Sequence, residues 1–477
     1  MKKSKLFFIL FFVACSLINS NAQELLSYEK LKSLTKEQIK ATYFVPAKYD
    51  VDIYKIIYTT KSVDMLPDTA SGILCTAVDT NSVFPLMIYD HGTVNDRHDV
   101  PSEGSGEQSV VVGLASLGYN CIAPDYIGLG ISKGVHPYIH PETEAGAGID
   151  LMFAVKNIEE VEKIHFNDQI FVTGYSQGGH AAMATAREMQ DVNGIKVTAA
   201  VPMSGPYSIS GAMKNYTLGN EEYNFCGYIG SLMLSAKLAY PDLLNNLEIE
   251  DIFKPQYAII VRKFEQEKIN LSEMNSGMVA LLSANGGKVL PKRMFKQDII
   301  NGIFNDENHP VFKALKSMDV CKWKPEMPLK MLYCKADDQV TYRNSVYTDS
   351  LMNSMGAKSV SSQDVFSFAN HGQCVLPAIQ KMIDFFKQYQ HIGSLNSTKN
   401  MDVTGINIYP NPAKESIFIS GLVSDSNKVM ITGLEGEKLM SLTIDKNDKI
   451  DVSNLSHGVY LVIITTKGKR IVRKIVK

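Results

Sequence analysis

The sequence has almost no net charge: 48 Lys and Arg stand against 50 Asp and Glu, a balance of -2. A nucleic-acid partner is not expected, because phosphate binding depends on clustered Lys and Arg, and acidic substrates are not implied. Long apolar runs are also missing. Apart from a short run at the N-terminus, no segment reaches the roughly 20 residues that span a bilayer, so no transmembrane helix is expected in the mature chain. There is no C-x-x-C, no H-E-x-x-H and no Gly-rich phosphate loop after a strand. His136 and His140 are four apart with Glu142 nearby, a spacing that suits a metal on a helix, but Pro137 and Pro141 break such a helix. Neither a metal nor a cofactor is expected.

What is present suffices for folding: 477 residues, 45% hydrophobic and 21% charged, bury one large core and a second small one. At the start, MKKSKLFFILFFVACSLINSNAQ sets Lys2, Lys3 and Lys5 before the apolar run from Leu6 to Ala14, then Ser20 and Ala22. That order is a secretory signal peptide, residues 1–22. A competing reading makes Cys15 a lipidation site, although Phe12 matches poorly three residues before it. Removing the signal leaves Cys75, Cys121, Cys226, Cys321, Cys334 and Cys374. Export permits disulfides. Because Cys75, Cys121 and Cys334 lie in apolar strand-like runs, where cysteine serves as a small core residue, at most one bridge is expected, with no pairing implied.

Strand-like runs at 49–62, 69–80 and 84–93 are rich in β-branched and aromatic residues and bounded by turn residues. From there strands and helices alternate. Residues 110–125 read as helix then buried strand, 145–161 as helix, 169–190 as strand, tight turn and helix, and 195–206 as buried strand. This is the pattern of an α/β domain with a mostly parallel sheet. It lapses over residues 207–326, which read as helical and form a cap over one end of the sheet. Alternation resumes with a strand and loop at 327–340, a helix at 342–356, a strand and loop at 360–372 and a helix at 377–390. The domains expected are therefore a catalytic unit at 23–390, a polar linker at 391–402 and a small all-β sandwich at 403–477, either a binding module or an export tag.

Two strings fit G-x-S-x-G: GYSQG around Ser176 and GISKG around Ser132. A nucleophile elbow needs a strand entering and a helix leaving, with glycines where the backbone approaches its neighbours. Ser176 follows Ile170-Phe171-Val172 and precedes HAAMATAREMQ; Ser132 runs into HPYIHPE, whose prolines exclude a helix. Ser176 is the expected nucleophile and Ser132 a turn residue. A hydroxyl needs a base, and the base a carboxylate. In the order Ser, acid, His, only His371, His391 and His457 follow the strand at 327–334. His391 falls in the linker and His457 in the β domain, which leaves His371. The loop after KMLYC offers Asp337, followed by Val340 in D-x-x-V, with Asp338 as the alternative. Oxyanion donors are expected from the backbone N–H of Gln177 and, after YDHGT, of Thr93, with Gly92 allowing close approach. Each donor is worth about 2.7 to 4 kcal/mol in the transition state. His180 reads as a packing residue, and the apolar content of the cap as cap core or an acyl-binding surface.

The residues DHGT (90–93), PDYIGLG (124–130), GYSQGGHAA (174–182), KADDQV (335–340) and NHGQC (370–374) together resemble the α/β-hydrolase superfamily, in particular secretory lipase-like esterases. The resemblance spans residues 84–392 and implies a Ser-His-Asp hydrolase with an acyl-enzyme intermediate and no cofactor. It does not name the substrate, since the fold hosts lipases, esterases and peptidases. YPNPAKESIFI (409–419), the L-x-G-E turn near Glu435 and GVYLVIITTKGKRIVRKIVK (458–477) resemble the C-terminal sorting domain of type IX secretion cargo. That likeness favours the tag and implies the secretion machinery as partner, with a secreted or cell-surface product. The expectation is a serine esterase or lipase acting on a small-molecule ester or one linked to lipid or polysaccharide. Its rivals are a peptidase anchoring a peptide terminus on cap charges such as Glu221 and Glu222, and a non-catalytic surface-binding protein.

Overall fold

The apolar runs become strands of one ten-stranded sheet. A computed structural model describes residues 24–477 except 44, 285–286, 396–405, 423–425, 434–436, 446–447 and 467–468, so the signal-peptide expectation lies outside the described residues. The strands are β1 (Leu25–Leu34), β2 (Asp50–Lys61), β3 (Pro67–Val78), β4 (Ser82–Asp90), β5 (Asn120–Pro124), β6 (Phe166–Tyr175), β7 (Ala199–Met203), β8 (Leu329–Tyr333), β9 (Val360–Asp364) and the short β10 (Gly393–Ser394). Their order is β1-β2-β3-β5-β4-β6-β7-β8-β9, with β10 on the start of β4. β4 pairs parallel with β5 and β6, and parallel pairing continues through β7, β8 and β9. Antiparallel pairing is confined to β1, β2 and β3, with β3 against β5, and to the short β10 against β4.

Parallel strands covered on both faces are apolar throughout, as β5 and β7 are, every residue buried. Alternation assigns neighbours to opposite faces. Phe171 packs in one core with the helices α1 (Lys36–Tyr43), α2 (Gly106–Ala115) and α15 (His371–Phe386). Val172 packs in the other with α3 (Pro141–Lys156), α5 (Gln177–Asp191) and α14 (Arg343–Ser354); α4 (Glu159–Glu162) is a short turn before β6.

Between β7 and β8 the chain leaves the sheet for a series of helices whose α-helical members among the described residues are α6 (Lys214–Thr217), α7 (Cys226–Ala239), α8 (Pro241–Leu244), α9 (Ile249–Ile252), α10 (Pro255–Glu265), α11 (Leu271–Ser283), α12 (Gln297–Asn305) and α13 (Pro310–Ser317). They bury a separate apolar cluster that includes Met233, Met274, Met278 and Phe295, and Tyr138 and Ile139 from the loop before α3 join it.

Three boundaries differ from the sequence reading. β1, which pairs with Val51 to Tyr58 of β2, is absent from that reading. The last helix starts at His371 rather than 377, because Asn370 and Gln373 form a capping box that satisfies its first N–H groups, and Pro377 sits inside it. The stretch given to a linker at 391–402 begins as structure: β10 pairs with Ser82 and Val83, and Asn167 and Gln169 bind the carbonyls of His391 and Tyr389.

The chain divides into two compact units at residues 396–397. The second consists of antiparallel strands in two sheets. β11 (Asn407–Tyr409), β12 (Ser416–Ser420) and β15 (Lys449–Asp451) form one, and β14 (Lys438–Ile444), β13 (Asn427–Thr432), β16 (Val459–Thr466) and β17 (Lys469–Val476) the other. Ile417, Val429, Ile431 and Ile464 belong to its core.

Candidate active site

β6 ends at Tyr175 and α5 starts at Gln177, so Ser176 alone makes the turn. Its φ of 61° and ψ of -121° lie in a region that costs a non-glycine residue on the order of 1–3 kcal/mol. The flanking glycines are a steric necessity: a Cβ on Gly174 would stand 2.2 Å from the Gly178 carbonyl oxygen, and one on Gly178 1.9 Å from that of Asp90. The Ser176 N–H donates to the Met203 carbonyl at 3.0 Å, tying the elbow to β7. Ser132, by contrast, is buried in a loop, where its hydroxyl accepts from the Gly128 N–H at 2.9 Å and donates to Asp68 at 3.3 Å.

The loop after β4 passes beside this turn: a Cβ on Gly92 would lie 3.9 Å from Ser176 Cβ and 3.3 Å from the Tyr175 carbonyl oxygen. Thr93 follows, its hydroxyl 3.0 Å from that of Tyr138. Neither the Thr93 nor the Gln177 backbone N–H finds a protein acceptor among the described residues, so both are available to a ligand. Gln177 is also the first residue of a 15-residue helix, whose dipole favours negative charge at that end.

Asp337, in the loop after β8, and His371, the first residue of α15, come together. His371 Nδ1 donates to Asp337 Oδ2 at 2.7 Å, with both side chains almost fully buried. The other carboxylate oxygen of Asp337 accepts from the Gln339 and Val340 N–H groups at 3.0 and 2.8 Å, which fixes its plane. Asp338 is exposed and accepts from the His371 backbone N–H at 3.1 Å, away from the imidazole. The Tyr175 hydroxyl donates to the His371 carbonyl at 2.6 Å, and the two rings lie 5.0 Å apart, which places His371 against the residue preceding Ser176. The structure thus brings Ser176, Gln177, Gly92, Thr93, Asp337 and His371 to one end of the parallel sheet.

Cys334 and Cys374 form a disulfide between the Asp337 loop and the first turn of α15. This corrects the assignment of Cys334 as a thiol filling a strand; Cys75, Cys121, Cys226 and Cys321 are the free, buried ones. His136 and His140 face separate partners: His136 Nδ1 donates to the Ile127 carbonyl at 2.7 Å, whereas His140 contacts Thr143 and Glu142 at 3.0 Å each. One residue near the elbow was missed altogether. Glu144, in the first turns of α3, is fully buried and 2.7 Å from His180. In PETEAG its carboxylate reads as an ordinary acidic residue at a helix start, and nothing in the string marks its burial.

Ser176 and Gln177 open onto a narrow cleft beneath the cap, part of it open to solvent. Its wall is largely apolar, with Ile229, Leu232, Met233, Ile303 and Leu315 from the cap facing Val340. Lys214 is the charged residue of the wall; its ammonium stands 5.2 and 5.0 Å from the rings of Phe304 and Phe312, and burial lowers its pKa. On the other side of Gln177 and Tyr138 lies a more polar cleft that Thr93, Arg97, His98 and Asn270 help to line.

The fold matches known structures. The ligand-bound form of the rice cell wall degrading esterase LipA from Xanthomonas oryzae superposes with a TM-score of 0.68 at 24% identity, covering 77% of this chain and 98% of that one. Candida antarctica lipase A in its closed state gives 0.56 at 14% identity, covering 77% and 82%. At such identities the likeness establishes the fold. No curated protein matches the chain. Residues 407–477 match the family described as secretion system C-terminal sorting domain. Among the described residues no helix is long and apolar enough to cross a membrane. The chain therefore joins a unit of the α/β-hydrolase fold to a C-terminal sorting domain that marks it for type IX secretion to the cell surface or the extracellular space.

Proposed function

We propose that the protein is a secreted serine hydrolase of carboxylic esters. The observation that carries this reading is the buried Asp337–His371 hydrogen bond of 2.7 Å beside a serine held at a strained strand-to-helix turn. Asp337 holds the Nδ1–H tautomer of His371, which leaves Nε2 as the base. Ser176 Oγ attacks the ester carbonyl carbon while its proton passes to His371 Nε2. The carbonyl oxygen, now carrying the negative charge, takes hydrogen bonds from the Gln177 and Thr93 N–H groups. Collapse expels the alcohol, which receives the proton from the imidazolium, and leaves an acyl-serine. Water then repeats the sequence and releases the acid.

The apolar chamber next to Ser176 supports an acyl group as the part of the substrate that enters the cap. A buried methylene contributes about 0.8 kcal/mol, so chain length up to the chamber's capacity translates into affinity. The peptidase reading draws no support from the cap charges first considered for it. Glu221 and Glu222 are exposed, neither lines the chamber, and Glu222 accepts from the Val289 N–H.

The test is a panel of aryl esters from acetate to long-chain acids, run beside aminoacyl and dipeptidyl amides, with a fluorophosphonate probe. Ester turnover, labelling at Ser176 and loss of both in S176A are expected. An absence of turnover on every ester together with an unlabelled Ser176 would falsify the hydrolase reading.

A further inference from the structure

Behind the elbow lies a buried polar network that the proton transfers above do not use. Glu144 is its centre. One carboxylate oxygen accepts from His180 Nδ1 at 2.7 Å; the other accepts from Gln177 Nε2 at 2.8 Å and the Ile139 N–H at 3.1 Å. His180 Nε2 lies 2.9 Å from the Met318 carbonyl, which follows the last cap helix. Each ring nitrogen of His180 thus faces an acceptor, a carboxylate oxygen on one side and a carbonyl oxygen on the other.

The Glu144 carboxylate also fixes how the Gln177 amide is turned. Its NH₂ must face Glu144, because an amide oxygen there would oppose a carboxylate oxygen. The second amide hydrogen then points to His136 Nε2 at 2.7 Å. That nitrogen accepts it, since His136 Nδ1 already donates to the Ile127 carbonyl. Both hydrogens of one side-chain amide are thus held, on the residue whose backbone N–H faces the proposed oxyanion.

An unpaired carboxylate here would be costly in itself and would oppose the negative charge developing on the substrate oxygen. The contact with His180 at 2.7 Å gives one oxygen a partner and leaves the other to accept from Gln177 and Ile139. The same carboxylate holds Ile139, part of the chamber wall, so the elbow and the chamber are fixed to one point.

We propose that Glu144, held by His180, is a positioning residue that keeps Gln177, together with His136, in the orientation that presents its backbone N–H to the oxyanion. The proposal rests on the serine-hydrolase reading. It predicts a cost in the transition state alone.

The experiment measures kcat and KM per folded molecule for the full chain and its E144A, E144Q, H180A, Q177M and S176A variants on one short aryl ester, with the folded fraction read by circular dichroism. E144A and H180A should each lower kcat about 10- to 100-fold, below the 10²–10³ of outright loss of an oxyanion donor, with KM nearly unchanged. E144Q, which retains an acceptor for Gln177 and adds no charge, should recover most of what E144A loses. Should E144A fail to fold, Q177M removes both tethers while leaving the buried pair intact, and should show the same fall in kcat alone. Activity that survives in S176A sinks the hydrolase reading and this proposal with it. If S176A is inactive but E144A and Q177M keep kcat within about twofold, or E144Q recovers nothing, only the positioning role is overturned.

Discussion

His371 donates to Asp337 at 2.7 Å, and each residue lies three positions after or before one half-cystine of the same disulfide, Cys334 preceding Asp337 and Cys374 following His371. The bridge closes a separation of 40 residues, for which the chain-entropy argument gives about 4 kcal/mol. It also limits how far the acid loop and the first turn of α15 can separate. Replacing both cysteines by serine should lower the melting temperature by roughly 5 to 10 °C and reduce kcat more than KM. Treating the wild-type protein with a thiol reductant should reproduce both effects, and a variant with unchanged melting and kcat would show that the bridge does neither.

The two neighbouring aspartates should separate sharply. Asp337 accepts the imidazole N–H, whereas Asp338 accepts only the backbone N–H of the same histidine. D337N places an amide opposite the ring and favours the wrong tautomer, which should lower kcat by about 10³–10⁴. D338N keeps an acceptor for the backbone N–H at an exposed helix start and should stay within about threefold of wild type, because exposed charge–dipole terms are worth about 0.3–1 kcal/mol. Equal losses in the two variants would contradict the assignment of the acid.

The chamber makes a third prediction. Leu232, partly buried on α7, lines it, and L232W should shorten the space without touching Ser176. kcat/KM on decanoate esters should fall about tenfold or more, since two or more methylenes denied their place cost about 0.8 kcal/mol each, while acetate esters stay within about twofold. A uniform loss across chain lengths would mean that the acyl group lies elsewhere.

How much of this was legible in the sequence depends on how local each cause is. The elbow is local: strand, two glycines and helix former all fall within residues 170–190, and the structure has that order. β1 was not readable because its residues are mostly exposed, so LLSYEKLKSL shows no period of two, and its strand character comes from pairing with β2. The Cys334–Cys374 bridge depends on the loop after β8 meeting the first turn of α15, which no spacing encodes. Glu144 was invisible for a related reason. Its burial follows from how α3 packs on α5, and only then does a routine helix-start glutamate acquire His180 and Gln177 as partners.

His136 supplies a prediction in pH. Burial pushes its pKa down to about 4, helped by His91 and Arg97, against the opposing effects of Glu144 and the Ile127 carbonyl. An unfolded histidine takes up its proton near pH 6.5. Between those values the unfolded chain binds more protons than the folded one at this site, so stability falls as pH drops from about 6.5 towards 4, by up to about 3 kcal/mol. Asp90 works in the opposite sense. Burial, with Glu144 adding to it, raises its pKa well above the usual carboxylate range, so its contribution grows as pH falls. That term is common to the wild-type protein and H136Q and cancels when they are compared. Calorimetry at pH 7 and pH 4.5 should therefore show H136Q losing less stability on acidification than wild type, by up to about 3 kcal/mol. Parallel curves for the two proteins would show that the ring at position 136 takes up its proton as freely folded as unfolded.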